Sequence, residues 1–247
     1  MSVFPSRISL FSGAVALSLL ASTATAGTIS LTYAGPSVSE SNGNSLQTVY
    51  IDEPTEFNRE VYAFGFNMTG PADTSLASFL AWCLDLGSAL APKNVPATYS
   101  ETDIPFSNSL TIDTSLVQKV FDANFGGVTV SDGLQAAGFQ VALWEAIYEK
   151  NVDAEGKKVW DAGDGVFAVS ENADVIEQAN TYLGLAAGYT DDQKYRLTFL
   201  ESASDAEGKS AHQNLVTVSP VPLPAAGFLL LAALGGLGFA ARRRKAV

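Results

Sequence analysis

An α+β domain, with N-terminal and C-terminal β-strands around a central helical region and followed by one C-terminal transmembrane-type helix, is the fold class that the sequence predicts. Three observations predict it. Alternating, β-branched and aromatic segments occur early in the chain and again late. Segments with helical periodicity and helix caps lie between them, and an uncharged apolar run stands close to the last residues.

The first segment, residues 1–26, carries Arg7, an apolar run from Ile8 to Leu20 broken only by Ser and Gly, and the triplet Ala24-Thr25-Ala26 before Gly27. That is the three-part layout of a secretory signal with an A-x-A cleavage site, and the run is too short and Ser-rich for a membrane span. The mature chain is therefore expected to begin at Gly27, with one extracellular domain over residues 27–219.

Within that domain Thr28 to Tyr33 alternates, Val49 to Ile51 is a short β-branched piece, and Glu60 to Phe66 reads as a third strand. Phe79 to Leu84 is nearly all apolar, as in a strand buried on both faces. Leu80, Trp82 and Leu84 would point one way and Phe79, Ala81 and Cys83 the other. The polar, Pro-containing stretch Ala91 to Ser109 reads as a long loop. Asp113 or Thr114 then caps a helix to Asn124, stopped by Gly126-Gly127; Ser131 or Asp132 caps a longer one to about Lys150; Ser170 opens a third ending near Gly188. Tyr195 to Glu201 and Gln213 to Val218 return to strand patterning, as late strands that complete the sheet.

The tail follows, over residues 220–247. Pro220-Val221-Pro222-Leu223-Pro224 stops any preceding element, because proline lacks the backbone donor and restricts its predecessor. Ala225 to Ala241 has no charge, and Arg242, Arg243, Arg244 and Lys245 follow directly. As a helix this run covers about 26 Å, near the thickness of a hydrocarbon core, and the basic cluster would stay cytoplasmic. A plain single-span anchor is one reading. The other comes from Val221, Pro222, Leu223, Pro224 and Ala225 ahead of the apolar run and basic stop, an order that closely resembles the VPLPA variant of the PEP-CTERM sorting signals of Gram-negative bacteria. The resemblance implies an exosortase-type processing enzyme as partner. It also implies a transient stage in the inner membrane through the C-terminal helix, and delivery to the cell surface or extracellular matrix, with the tail removed as in other sorting signals.

Charge narrows the function of the domain. Of the 14 Lys and Arg, Arg7 and the four in the tail would be lost on processing, which leaves 9 against 26 Asp and Glu. Such a surface repels phosphate backbones and anionic membranes, so no nucleic-acid partner is expected. With one cysteine, Cys83, no intramolecular disulfide can form.

The helix to Lys150 holds an anomaly. Projected at 100° per residue, Ala136, Ala137, Leu143, Trp144 and Ile147 all lie within about 60° of Gln140, so an amide sits in the middle of the apolar face. Buried without partners it would cost a few kcal/mol, roughly. A Cys thiol and a Gln amide can condense with loss of ammonia into an internal thioester, which needs a dry, preorganised site to survive hydrolysis. Cys83 on an apolar strand and Gln140 on an apolar helix face, with Trp82 and Trp144 as supporting walls, meet that requirement on paper.

Trp82-Cys83-Leu84-Asp85 followed by Gln140-Val141-Ala142-Leu143-Trp144 resembles the thioester domains of bacterial surface adhesins. That family has an aromatic-Cys-aliphatic segment and, later, a Thr-Gln-x-Ala-aliphatic-Trp segment on a helix. The resemblance implies Cys83 as the thiol side, Gln140 as the acyl side, and a surface ligand bearing an amine that opens the bond to leave a covalent link. It implies attachment rather than turnover, so no enzyme. Phe139 departs from the pattern, which has Thr there. The alternative is a structural or carbohydrate-associated matrix component in which Gln140 bonds to a strand or loop backbone and Cys83 fills the core.

Other candidates carry less. His212, the only histidine, lies in a segment that reads as solvated loop, too little for a hydrolase. Asn151-x-Asp153-x-Glu155-Gly156 imitates the opening of a calcium loop, but its twelfth position is Ala162, so with Asp161 and Asp164 it reads as a hydrated acidic loop. Glu145 and Glu149, one turn apart, read as a solvent face rather than a glycosidase pair. Asn67-Met68-Thr69 is a sequon by pattern only. No cofactor or metal is expected.

Overall fold

The computed structural model describes residues 27–41, 44–109, 112–150 and 159–221. The signal segment 1–26, the polar stretch 151–158 and the tail beyond Val221 lie outside the described residues, and with them Pro222, Leu223, Pro224, Ala225, Arg242, Arg243, Arg244 and Lys245.

The described strands are β1 (Thr28–Pro36), β2 (Gln47–Glu53), β3 (Arg59–Ala63), β4 (Phe66–Thr69), β5 (Ser78–Cys83), β6 (Pro96–Thr102), β7 (Ala168–Ser170), β8 (Tyr195–Ser202) and β9 (Leu215–Pro220). The helices are α1 (Thr114–Asn124), α2 (Gly133–Tyr148) and α3 (Ala173–Ala187). Six strands close into an antiparallel barrel in the order β1-β4-β5-β9-β8-β6, and β3-β2-β7 form a separate small sheet.

This corrects the α+β expectation: the domain has more strand than helix and is built on a closed barrel. Two local misreadings account for the difference. Glu60 to Phe66 is not one strand. β3 ends at Ala63 in the small sheet and β4 begins at Phe66 in the barrel. Gly65 makes the crossing, packed so closely that a Cβ there would lie 3.1 Å from Leu80 and from the Trp82 ring. The loop expected over Ala91 to Ser109 contains β6, which pairs with β1 on one side and β8 on the other and so closes the ring. The expected C-terminal transmembrane-type helix is not found among the described residues. Among the described residues no helix is long and apolar enough to cross a membrane, and Ala225 to Ala241 falls outside them.

The helices begin where short polar side chains can accept from their free N–H groups. Asp113 accepts from Ser115 N–H at 3.0 Å and Asp132 from Gln135 N–H at 2.9 Å. α3 is capped by Asn172, which accepts from Val175 N–H at 3.3 Å, whereas Ser170 ends β7. A 3-10 turn over Phe125–Gly127 ends α1. α2 is buried almost all round, as expected of a helix with apolar residues on every side. Gly138 lets α3 approach it, since a Cβ there would stand 2.5 Å from Gln178 Cγ.

Between barrel and helices lies an aromatic layer. Trp82 meets Phe139 edge-on at 4.7 Å between ring centroids, and Phe139 also meets Phe121 at 5.2 Å and Tyr182 at 6.0 Å. Edge-to-face packing of this kind adds about 0.5–1.5 kcal/mol per pair beyond burial. β5 therefore has one face toward this layer and the other toward the barrel interior.

Candidate functional site

Strand alternation decides what Cys83 can meet. Leu84 N–H donates to Asn214 C=O on the β9 side of β5. The N–H and C=O of Cys83, one residue earlier, therefore turn to the opposite side. There β4 does not reach, since its first residue, Phe66, pairs with Ala81. Two backbone groups at the end of a buried strand are left without a strand partner, each worth about 1–3 kcal/mol if unsatisfied.

Gln140 fills the vacancy. Its Oε1 accepts from Cys83 N–H at 3.0 Å, and its Nε2 donates to Cys83 C=O at 2.9 Å. A side-chain amide has the donor and acceptor of a peptide group, so Gln140 continues the ladder that β4 leaves unfinished. Both residues are fully enclosed, Gln140 at 1% exposure and Cys83 at 0%.

The thiol lies on the other face of β5 from Trp82, on the side of Leu215, the β9 residue paired with Cys83. Its Sγ donates to Asp85 C=O at 3.2 Å and accepts from Asp85 N–H at 3.3 Å. Asp85 is itself fixed: its carboxylate accepts from Gly87 N–H at 2.8 Å and from Ser210 Oγ at 2.7 Å. Trp144, one turn beyond Gln140 on α2, has an indole N–H that lies close enough to the thiol to favour its ionised form, although among the described residues it makes no hydrogen bond. Burial nevertheless dominates and pushes the Cys83 thiol up to about 12. At neutral pH the group is a thiol, not a thiolate.

The structure thus brings Cys83, Gln140 and Trp144 together. Trp82 is adjacent in sequence but faces the aromatic layer, and Phe139 is held in that same layer. Val221, the first residue of the sorting motif, is described and donates its N–H to Lys194 C=O at 2.8 Å.

Three residues whose roles were missed in the sequence border the site. The Tyr148 hydroxyl accepts from Leu86 N–H at 2.9 Å, and the Asp85 backbone braces the thiol. Tyr99, on β6, is wholly buried, and among the described residues its hydroxyl has no hydrogen-bond partner. The alternation of Ala97 and Tyr99 among polar neighbours was the available signal for Tyr99.

The expectation of a solvent face for Glu145 and Glu149 is corrected: both are at 0% exposure. Glu145 accepts from Asp161 N–H at 3.1 Å, and Glu149 from Val166 and Phe167 N–H at 2.8 and 3.2 Å. They hold the returning segment of the chain. Asp161 accepts from Gly163 N–H and the Asn180 amide, which commits it to that segment. His212 gives its backbone N–H to Ser202 Oγ at 2.9 Å, and Asn67 donates to Pro36 C=O. Among the described residues no group of three or more His, Cys, Asp or Glu could hold a metal ion.

With this geometry in place, residues 220–245 match the PEP-CTERM protein-sorting motif. The motif marks an exported protein of the Gram-negative cell surface that is processed by an exosortase. Comparison with curated proteins gives no match. Among solved structures, the N-terminal domain of the Streptococcus pyogenes pilus tip adhesin Cpa is similar over 76% of this chain and 99% of its own, at 13% identity and a TM-score of 0.40. A cysteine-to-alanine mutant of the N-terminal thioester domain of a Clostridium perfringens surface protein is similar over 70% of this chain and 99% of its own, at 13% identity and a TM-score of 0.39. The Bacillus anthracis TIE protein gives 10% identity and a TM-score of 0.38, over 80% of this chain and 40% of its own. Likeness this low says nothing of the chemistry at Cys83 and Gln140.

Proposed function

We propose that the domain is an adhesin that attaches covalently through an internal thioester between Cys83 and Gln140. The observation that carries this reading is the buried Gln140 amide held on the backbone N–H and C=O of the only cysteine, Cys83. In the closing step Cys83 Sγ attacks Gln140 Cδ, the C–S bond forms, the C–N bond breaks, and the thiol proton leaves with ammonia. Cys83 N–H sits on Gln140 Oε1, where negative charge develops during that attack, and so favours it. The enclosing core keeps water from the product. A primary amine on a surface or matrix molecule then attacks the same carbon, leaving an amide to Gln140 and a free Cys83 thiol. Each molecule reacts once, so this is attachment and not enzymatic turnover.

The sorting motif supports the setting in which such a bond is useful: passage through the inner membrane, then display at the surface or in the extracellular matrix. If the mature surface form still contains a peptide spanning Phe228 to Ala241, the tail has not been removed.

One observation favours a second reading. The Gln140 amide is satisfied on both sides by Cys83 backbone, which suffices to explain its burial in a non-reactive matrix component. Treatment with methylamine separates the two. The thioester reading predicts that peptide mapping recovers Gln140 as its methylamide together with a newly alkylatable Cys83. An unmodified Gln140 after exposure of native, freshly purified protein would leave only the structural role.

A further inference from the structure

The Tyr99 hydroxyl is an unexplained cost in the core. The side chain is at 0% exposure, and among the described residues its oxygen has neither a donor nor an acceptor within hydrogen-bonding geometry. Buried polar groups are nearly always paired, and leaving one unpaired destabilises the fold, so an orphan of this kind asks for a reason. Tyr148, the other buried tyrosine near the thiol, is different, because it accepts from Leu86 N–H.

Topology says where Tyr99 points. Ala97 and Tyr99 are the buried positions of β6, and Tyr99 stands beside Ile29 of β1 and Ser202 of β8 on the inner face of the barrel. In the ring β1-β4-β5-β9-β8-β6, the strand directly across from β6 is β5. Cys83 ends β5 with its side chain on the inner face, the side opposite Trp82. The two groups sense each other: charge on the thiol raises the Tyr99 hydroxyl further above its ordinary range, beyond the larger effect of burial. Tyr99 therefore stays protonated and can only donate to an anion.

We propose that Tyr99 donates a hydrogen bond to the Cys83 sulfur as it leaves Gln140, acting with Asp85 N–H and the Trp144 indole N–H to stabilise the departing thiolate. This rests on the thioester reading. When an amine attacks Gln140 Cδ, the new C–N bond forms and the C–S bond breaks with its electron pair going to sulfur. The proton lost by the amine ends on that sulfur. An environment that so disfavours a bare thiolate makes sulfur a poor leaving group unless donors meet its charge, and among the described residues Asp85 N–H, at 3.3 Å, is the donor already bonded to it. The hydroxyl without a partner in the resting thiol form would gain one at the step where charge appears.

The test uses Tyr99→Phe in the whole mature domain, which keeps the ring and removes only the oxygen. Intact mass reports whether the ammonia is lost, the rate of methylamine addition reports opening, and a melting curve reports stability. The expected result is a Phe variant that still lacks one ammonia, melts no lower than the parent, and opens roughly 10- to 100-fold more slowly. An unchanged opening rate overturns the inference, as does a clear drop in melting temperature, which would mean the hydroxyl has a structural partner. A folded variant that never closes the bond overturns it as well. A parent protein of full mass sinks the thioester reading itself, a result that the variant cannot imitate.

Discussion

Helix α2 carries buried polar groups at two places, and they differ in what they leave undone. Near its end, Glu145 and Glu149 take up backbone N–H groups of the segment 161–167. At its middle, Gln140 takes up the unpaired N–H and C=O at the end of β5. Both stand in for missing secondary structure. The carboxylates accept backbone N–H groups from a segment, 161–167, that contains no thiol. The amide lies beside a thiol and carries an acyl carbon that a thiol can attack. The lesson is that polarity in a buried helix is ordinarily architecture, and that the neighbour, not the burial, marks Gln140 as a reactive candidate.

The strongest way to break this comparison is Glu149→Ala. It strands the N–H groups of Val166 and Phe167, and Gly165 beside them packs so tightly on Glu149 that a Cβ there would meet its Oε2. Denaturant unfolding is expected to show a loss of about 3–5 kcal/mol, while Cys83 and Gln140 chemistry is retained. Loss of that chemistry in a folded Glu149→Ala would show that the two regions are not separable.

Gln140→Ala comes next. It removes the ladder mimic and leaves a small cavity, for an expected loss of roughly 2–4 kcal/mol together with complete loss of methylamine addition. Gly138→Ala sharpens the dependence of Gln140 on helix placement. Helix propensity alone would favour alanine by about 1 kcal/mol, but the Cβ would stand 2.5 Å from Gln178 Cγ and force α3 away. A net loss of about 1–2 kcal/mol is expected, and a net gain in stability would show that α3 yields freely.

The smallest effect is electrostatic. In the opened form, Cys83 has a free thiol whose value lies at about 12 in the fold against 9.0 without it. The folded state then holds its proton over a range where the unfolded state does not. Stability from this group is complete below about pH 9 and falls as pH rises toward about 12. Near pH 10 the loss is roughly 1 kcal/mol. Urea midpoints of the opened protein should therefore decline with alkalinity more steeply than those of Cys83→Ala, and parallel curves would contradict the burial of the thiol.

Local signals carried much of this into the sequence. The caps at Asp113 and Asp132, the Gly126-Gly127 stop and the two-faced strand ending at Cys83 all depend on neighbours a few residues away. The position of Gln140 on an apolar helix face was legible for the same reason. Its partner was not, because the vacancy it fills arises from where β4 begins, 74 positions earlier at Phe66. Barrel closure was hidden likewise. β6 shows polar residues outward and only Ala97 and Tyr99 inward, and its pairing with β1 and β8 is entirely non-local. Glu145 and Glu149 looked like a wet face since their described partners, Asp161, Val166 and Phe167, lie 16 to 18 positions further along the chain.

The central claim, that Cys83 and Gln140 form a bond and do not merely touch, is tested most directly by the intact mass of the native, freshly purified mature domain beside that of Cys83→Ala. The account predicts a deficit of one ammonia in the parent and none in the variant. Full mass in the parent together with a freely titrating thiol would contradict it.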